Sequence, residues 1–375
     1  MREFLDAKIH QRKASRPTST RTLGVGVVGL HEGRTLMVAL QRTNLLRAVA
    51  GCDLEEKKLS ETRREIPDAF YTKSYADLLA RKDVDIVAIY SPDAFHGRHV
   101  VEAFNAGKHV ICTKPFVISM QDARMVLAAG RRTGHKLLVG QSTRFFEPFR
   151  RQRSAFESGQ LGELELVDAH YVHRMDWFYE KSPWAATETD WIFLGMSHPI
   201  DLVRWYLCRI DEVHAYGARS ALGQRYGLTG NDVYVVNLRS SQGKIARAMG
   251  HYGLRELPSA RNCIELLLFG TKNTSLAQYH DMKYRETRED GTEVCEDPLY
   301  EMRHYYFNSE IHGMHYGEFA NYAEHFAMAI LENTPYSPGL EEGVETFCVM
   351  EAIRRSVTRG APVQIGPLLE EAGLA

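Results

Sequence analysis

The residues near the start of the chain best suited to chemistry are Gly29-Leu30-His31-Glu32-Gly33-Arg34 and Asp53. The first group follows an apolar, β-branched run from Leu23 to Val28 and leads into a helix-compatible stretch. A glycine directly after a strand lets backbone N–H groups come close to a phosphate at the N-terminus of the next helix. A literal G-x-G-x-x-G exists at Gly24, Gly26 and Gly29, but its first two glycines fall inside the strand. The turn therefore begins at Gly29, and His31 and Arg34 stand where the later glycines would fall. Asp53 ends the second apolar run, Leu46 to Cys52. A carboxylate there can accept both hydroxyls of an adenosine ribose and repels a 2′-phosphate; it can equally cap the following helix. Strand, turn, helix and acid together predict a dinucleotide site over Gly29, Leu30, His31, Gly33, Arg34 and Asp53, with NAD preferred to NADP.

A second concentration runs from Arg174 through Asp176, Trp177 and Lys181 to Trp184, then Asp190 and Trp191. Three of the four tryptophans lie here. Indole faces beside carboxylates suit a polyhydroxylated ring, whose C–H face stacks while its hydroxyls find acceptors. The same stretch can instead be an aromatic loop over a sheet or an oligomer contact. Arg144, Arg174 and Lys181 could receive an anionic substituent. His304, His312 and His315, with Tyr305, Tyr306 and Tyr316, lack a compact metal-ligand spacing and read as pocket wall or subunit contact. His251 and Tyr252 are equally ambiguous, and no metal is expected.

The elements that must position these groups alternate in type over the first 140 or so residues. Apolar strand patterns at Leu23, Leu46, Val84, His109 and Lys136 are separated by helical stretches, two of which open on capping boxes, Ser74 with Asp77 and Ser119 with Asp122. This rhythm predicts a doubly wound parallel sheet over 23–144. Beyond Phe145, strands succeed one another at Glu163–Arg174, Glu212–Ser220, Val233–Ser240, Lys244–Tyr252 and Cys263–Phe269. They predict an open, mostly antiparallel sheet within 145–375, closed by helices at Glu318–Leu331 and Glu341–Thr358. Residues 1–22 read as a polar arm. With 46 Lys and Arg against 48 Asp and Glu, and a formal net charge of -2, the chain carries no footprint for nucleic acid or an anionic membrane. Six scattered cysteines and the absence of a long apolar run point to a reducing cytoplasm. The expected partners are a small molecule and further copies of the chain, in a dimer or tetramer.

Ser91-Pro92-Asp93-Ala94-Phe95-His96 after the strand from Val84, Gly107-Lys108-His109-Val110, and Cys112-Thr113-Lys114-Pro115 after the strand from His109 form an ordered series of motifs. It continues with Arg144-Phe145, Gly159-Gln160-Leu161-Gly162, the helix from His198 to Trp205, and Gly360-Ala361-Pro362-Val363. In order and spacing the series resembles the Gfo/Idh/MocA family, the glucose-fructose oxidoreductase and inositol dehydrogenase group, over nearly the whole chain from Leu23. The resemblance implies a Rossmann domain followed by a substrate domain, with Ser91, Pro92, His96, Thr113 and Lys114 against the cofactor and Lys114 and His198 as the catalytic pair. Thr113 stands where the family's motif has glutamate. Leu194 stands where many relatives have an aspartate four residues before the histidine, and Asp190 could serve only through an offset in register.

The chemistry is consistent with this implication. Oxidising a secondary alcohol requires a proton acceptor, and a lysine desolvated beside a cationic nicotinamide has a lowered pKa. His198 would hold or relay the proton, and Asp201, one helical turn on, would orient its ring. The expected substrate residues are Arg144, Arg174, Asp176, Trp177, Trp184, Asp190, Trp191 and His198. The expected activity is reversible NAD-dependent oxidation of a secondary hydroxyl on a sugar, sugar derivative or cyclitol. Two alternatives stand beside it: a redox-neutral glycosidase that oxidises C3 transiently, eliminates the aglycone, adds water and returns the hydride, and a non-catalytic cofactor-binding regulator.

Overall fold

In the computed structural model, which describes residues 21–257, 263–298 and 318–374, strand β1 (Leu23–Val28) buries all of its residues at the centre of a sheet. Its neighbours are β2 (Leu46–Cys52), β3 (Phe70–Thr72), β4 (Ile86–Ile89), β5 (His109–Thr113) and β6 (Leu137–Gly140). The order is β3-β2-β1-β4-β5-β6 and every pairing is parallel. A strand buried on both faces needs apolar side chains at every position, which is why these runs are continuous rather than alternating. Five helices connect the strands: α1 (Gly33–Leu40), α2 (Glu56–Glu65), α3 (Tyr75–Leu79), α4 (His96–Asn105) and α5 (Met120–Thr133). Ser74 and Ser119 cap α3 and α5 by accepting from the N–H of Asp77 and Asp122. The strand order reverses between β1 and β4, and the loops leaving their carboxyl ends therefore diverge around a crevice.

The second sheet has nine strands in the order β14-β13-β12-β11-β7-β10-β9-β8-β15. The expected strands become β7 (Leu164–Val172), β8 (Ile210–Ala218), β9 (Val233–Ser240), β10 (Ile245–His251) and β11 (Cys263–Gly270). To these the fold adds β12 (Thr274–Gln278), β13 (Tyr284–Thr287), β14 (Glu293–Glu296) and β15 (Val363–Gln364). All pairings are antiparallel except β7 with β10, which run parallel in the middle. The intervening helices are α6 (Glu147–Glu157), α7 (Asp176–Lys181), α8 (Trp191–Leu194), α9 (Ser197–Leu207) and α10 (Ala221–Arg225). They are followed by α11 (Glu318–Leu331), α12 (Leu340–Arg359) and α13 (Gly366–Ala372).

Helix α9 crosses β7, β10 and β11, and α12 lies along β8. The opposite face leaves Tyr216, Val235 and Ile245 exposed. Helix α11 returns to the first sheet, where Phe319, Tyr322 and Phe326 share a core with Leu23, Val25 and Leu36. The chain thus contributes a late helix to its first layer, although that helix falls within the segment expected to build the second. The expected arm lies almost wholly outside the described residues, as do His304, His312, His315, Tyr305, Tyr306 and Tyr316.

Candidate active site

The turn after β1 is tight because of its glycine. Gly29 has φ +85°, and a Cβ there would sit 2.5 Å from the carbonyl carbon of Tyr90. Only glycine fits that close passage between the β1 and β4 loops without strain. The Leu30 N–H donates to Asp53 Oδ2 at 2.8 Å, and the Glu55 N–H donates to Asp53 Oδ1 at 2.9 Å. Asp53 thereby fixes the turn's position above β2, and each carboxylate oxygen keeps acceptor capacity. His31 stands at the surface of this turn, and partial desolvation together with the positive charge of Lys181 on α7 holds its pKa below the ordinary histidine value. Arg34 differs from expectation: its guanidinium is paired with Glu65 at 2.6 Å and Glu61 at 3.1 Å on α2. It ties α1 to α2 and is not a free cation at the phosphate turn.

The loops after β4 and β5 lie side by side because those strands pair from Ile86↔His109 to Ile89↔Cys112. Buried His96 spans them, one ring nitrogen 2.7 Å from Pro115 O and the other 2.7 Å from Ser91 O. Ser91 Oγ meets His99 Nδ1 at 2.9 Å. His96 is therefore a clasp between two loops, and Ser91 and Pro92 lead into the short turn Asp93–Phe95. Thr113 ends β5 beside Gly140 and is half-buried.

Lys114 reaches across to the second layer, where its Nζ donates to Leu194 O at 3.2 Å. The position that lacks a carboxylate side chain thus meets the lysine through its backbone. Burial pushes the Lys114 amine below its ordinary pKa, opposed by the negative charges of Glu32 and Asp93. His198, at the start of α9 and buried, hydrogen bonds through Nδ1 to Thr143 Oγ1 at 2.7 Å. Its ring stands edge-on to Tyr171 at 5.3 Å.

Asp201 does not orient that ring. It accepts two hydrogen bonds from Arg144, at 2.7 and 2.8 Å, both side chains being buried, and Arg144 also donates to Ser337 Oγ. A desolvated guanidinium requires a bidentate acid, which outweighs the looser i, i+3 approach to His198. Arg144 is accordingly committed to structure and is not a receiver for an anionic substrate.

Among the aromatic loop residues, Trp177 is 40% exposed, and its Nε1 points to His173 Nε2 at 3.4 Å. Lys181 lies 5.7 Å above its ring. Arg174 pairs with Asp176 at 2.8 Å, leaving both near the cleft but neutralised. Trp191 is core, 2% exposed and stacked on Tyr252 at 4.5 Å, and Trp184 packs edge-on to Phe178. Asp190 caps α8 by accepting from the Ile192 N–H and also accepts from Tyr234 Oη. It lines a separate cavity of about 520 Å³ with Arg354, Arg355 and Arg359, which none of Lys114, Thr143, His173 or His198 borders. The expectation of a substrate role for Trp184, Asp190 and Trp191 thus gives way to packing and capping.

Sequence reasoning passed over Thr143, Tyr171 and His173. The alternation along β7 was a usable signal, because Val167, Ala169, Tyr171 and the following His173 all face inward. Burial pushes His173 down to about 4, with the Lys114 charge acting in the same direction against Glu256 and Asp176. It is a neutral imidazole in the crevice at ordinary pH. Among the described residues, no group of three or more His, Cys, Asp or Glu is arranged to hold a metal, and no helix is long and apolar enough to cross a membrane.

A parallel sheet reversing at a glycine turn, with a half-buried lysine that reaches the second layer at Leu194 O, is the arrangement of a nucleotide-dependent oxidoreductase. Residues 23–141 match the oxidoreductase family with an NAD-binding Rossmann fold, and residues 149–272 match the GFO/IDH/MocA C-terminal domain. The chain belongs to the Gfo/Idh/MocA family, and its first domain is an NAD-binding Rossmann domain.

It is 30% identical over 201 residues to 1-carboxy-3-chloro-3,4-dihydroxycyclohexa-1,5-diene dehydrogenase of Comamonas testosteroni, covering 52% of this chain and 50% of that one. It is 26% identical over 190 residues to inositol 2-dehydrogenase of Salmonella typhimurium, covering 49% and 53%. The alignments therefore span about half the length of these two relatives. Among solved structures, levoglucosan dehydrogenase with NADH and levoglucosan superposes with a TM-score of 0.81 at 17% identity, covering 92% of this chain and all of that one (100%). The residues present fit NAD: the Gly29 cradle is closed to any side chain, and Asp53 stands beside it with acceptor capacity to spare.

Proposed function

We propose that the protein catalyses reversible NAD-dependent oxidation of a secondary hydroxyl on a sugar, sugar derivative or cyclitol. The observation that carries this reading is the half-buried, desolvated amine of Lys114 at the end of β5, with a backbone carbonyl acceptor contributed by the other layer. NAD, when bound, supplies the hydride acceptor. The remaining work falls to the chain's own residues.

Burial favours the neutral amine of Lys114, which accepts the substrate's hydroxyl proton at Nζ. Thr143 holds Nδ1 of His198 and Tyr171 braces its ring edge-on, which fixes the imidazole's orientation in the crevice. Neutral His173 can exchange hydrogen bonds with a substrate hydroxyl, and Trp177 offers an apolar face to the ring's C–H groups. The arrangement suits a hydroxylated ring with no strong charge, because Arg144 is spent on Asp201 and Arg174 on Asp176.

The test is nicotinamide absorbance of the purified chain incubated with NAD and a panel of cyclitols, free sugars, anhydrosugars and aryl glycosides. Accumulation of reduced nicotinamide with a cyclitol or sugar is expected. Release of an aglycone without net reduction would instead assign the redox-neutral glycosidase, and unchanged cofactor with every compound would assign the regulator.

A further inference from the structure

We propose that the cavity between the last turns of α12 and the loop from α10 to β9 is a second ligand site, independent of the dehydrogenase crevice, that holds a small phosphorylated polyol such as a sugar phosphate. The cavity measures about 520 Å³, and none of Lys114, Thr143, His173 or His198 borders it. Sites for small molecules commonly span roughly 300–1,000 Å³.

Its two walls differ in chemistry. One is the end of α12, which sets Arg354, Arg355 and Arg359 against the space. Arg354 and Arg355 both donate to Glu351, whose side chain is 5% exposed, so one buried acid anchors two guanidiniums. Arg355 also reaches Glu371 outside the cavity, and the Arg354 guanidinium lies 5.9 Å from the centre of the Phe193 ring on α8. These contacts hold both side chains in place, yet the Nη1 of each has no acceptor among the described residues. Arg359 is exposed and makes no hydrogen bond or ion pair among the described residues.

The facing wall is polar and carries a single charge. Thr229 and Asn231 bring a hydroxyl and an amide whose side chains bond to none of the described residues. Ile192 N–H and Tyr234 Oη both donate to Asp190 Oδ1, which leaves Oδ2 as an open acceptor. Arg219 fixes this loop by donating to the carbonyls of Thr229 and Gly230 at 2.9 and 3.0 Å, and adds a positive charge to it.

Charge and hydrogen-bonding capacity select the ligand. Three guanidiniums line the space against two carboxylates, and Glu351 is already shared between two of them. The α12 wall therefore lacks an anion. Guanidinium pairs best with a planar or multi-oxygen anion such as carboxylate or phosphate, and phosphate accepts several N–H groups at once. Phosphate alone leaves the facing wall unused. Hydroxyl groups on the same molecule donate to Asp190 and pair with Thr229 and Asn231. An uncharged sugar satisfies only that second wall. The arginines also offset the negative end of the α12 dipole, but that service requires neither a cavity nor a polar wall opposite.

Titration calorimetry of the full-length protein with glucose 6-phosphate, glycerol 3-phosphate, inorganic phosphate and glucose tests the site. A phosphorylated polyol should bind with a Kd of about 1 mM or tighter, inorganic phosphate more weakly and glucose not measurably. Arg359→Ala and Arg354→Ala should each weaken the phosphorylated polyol by about tenfold, the loss of one charge-assisted hydrogen bond. Thr229→Val should weaken it too, leaving inorganic phosphate unchanged. Arg359 is exposed and holds nothing in the fold, so its variant probes an intact protein. Failure of both phosphorylated polyols to bind overturns the proposal. Binding that both arginine variants leave unchanged does so as well, by placing the ligand elsewhere. Equal affinity for inorganic phosphate and the phosphorylated polyols also overturns it, reducing the arginines to an anion patch at a helix end.

Discussion

Lys114, His198 and Asp53 have roles that depend on what surrounds them more than on their own chemistry. Asp53 accepts from Leu30 and Glu55, so its charge is fixed where an adenosine ribose would lie. A 2′-phosphate there meets a carboxylate, and Arg34 is bound to Glu61 and Glu65. NAD should therefore bind more tightly than NADP, and Asp53→Ala should narrow the difference. Titration of both cofactors by fluorescence quenching measures this, and equal affinities in the wild type would remove Asp53 from the role. Lys114 and His198 were legible in the sequence only through the family motif. Thr143 was hidden because a hydroxyl beside Arg144-Phe145 carries no spacing signal, and His173 because its meaning depends on which face of β7 is inward. Trp191 misled for the converse reason: an indole next to an acid looks like a sugar platform until its stacking on Tyr252 is known.

Five of the six strands of the first sheet could be read, because buried parallel strands are continuous apolar runs bounded by capped helices; β3, three residues at the exposed edge, has no such run. In the second sheet, β13 and β14 escaped because four-residue strands such as Tyr284–Thr287 with Arg285 and Glu286 carry no contrast. The parallel pairing of β7 with β10 joins segments separated by a long stretch of chain, and no local pattern encodes it. Asp201 shows the limit of helical spacing. One turn from His198, it was expected to orient the ring, yet its partner is Arg144 from the loop after β6. Asp201→Ala should consequently act on stability, removing the bidentate acid from a buried guanidinium that keeps only Ser337 and the more distant Glu342, at a cost of about 3 kcal/mol. Urea denaturation measures that loss. An Asp201→Ala protein with wild-type stability but a shifted pH profile of turnover would reinstate the ring-orienting role.

The whole molecule is two layers that meet at a crevice, with α11 and the Lys114–Leu194 hydrogen bond carrying contacts between them. The nine-stranded sheet is covered by α9 and α12 on one face, and on the other Tyr216, Val235 and Ile245 stand exposed at 65%, 42% and 54%. A sheet face of this kind favours burial against a second copy. Sedimentation at micromolar concentration should show a dimer or a dimer of dimers, and a strictly monomeric species would contradict that inference. The central claim, that this family member oxidises a hydroxylated ring with Lys114 as its base, is tested most directly by single-turnover reduction of NAD in wild type and Lys114→Ala. The measurement uses the cyclitol or sugar that reduces the cofactor. The rate should fall by about two to four orders of magnitude in the variant, with NAD affinity little changed. Because the neutral amine is the active form, the wild-type rate should rise with pH through the lysine's lowered pKa. Near-normal single-turnover rates in folded Lys114→Ala, with the same pH dependence, would contradict the account.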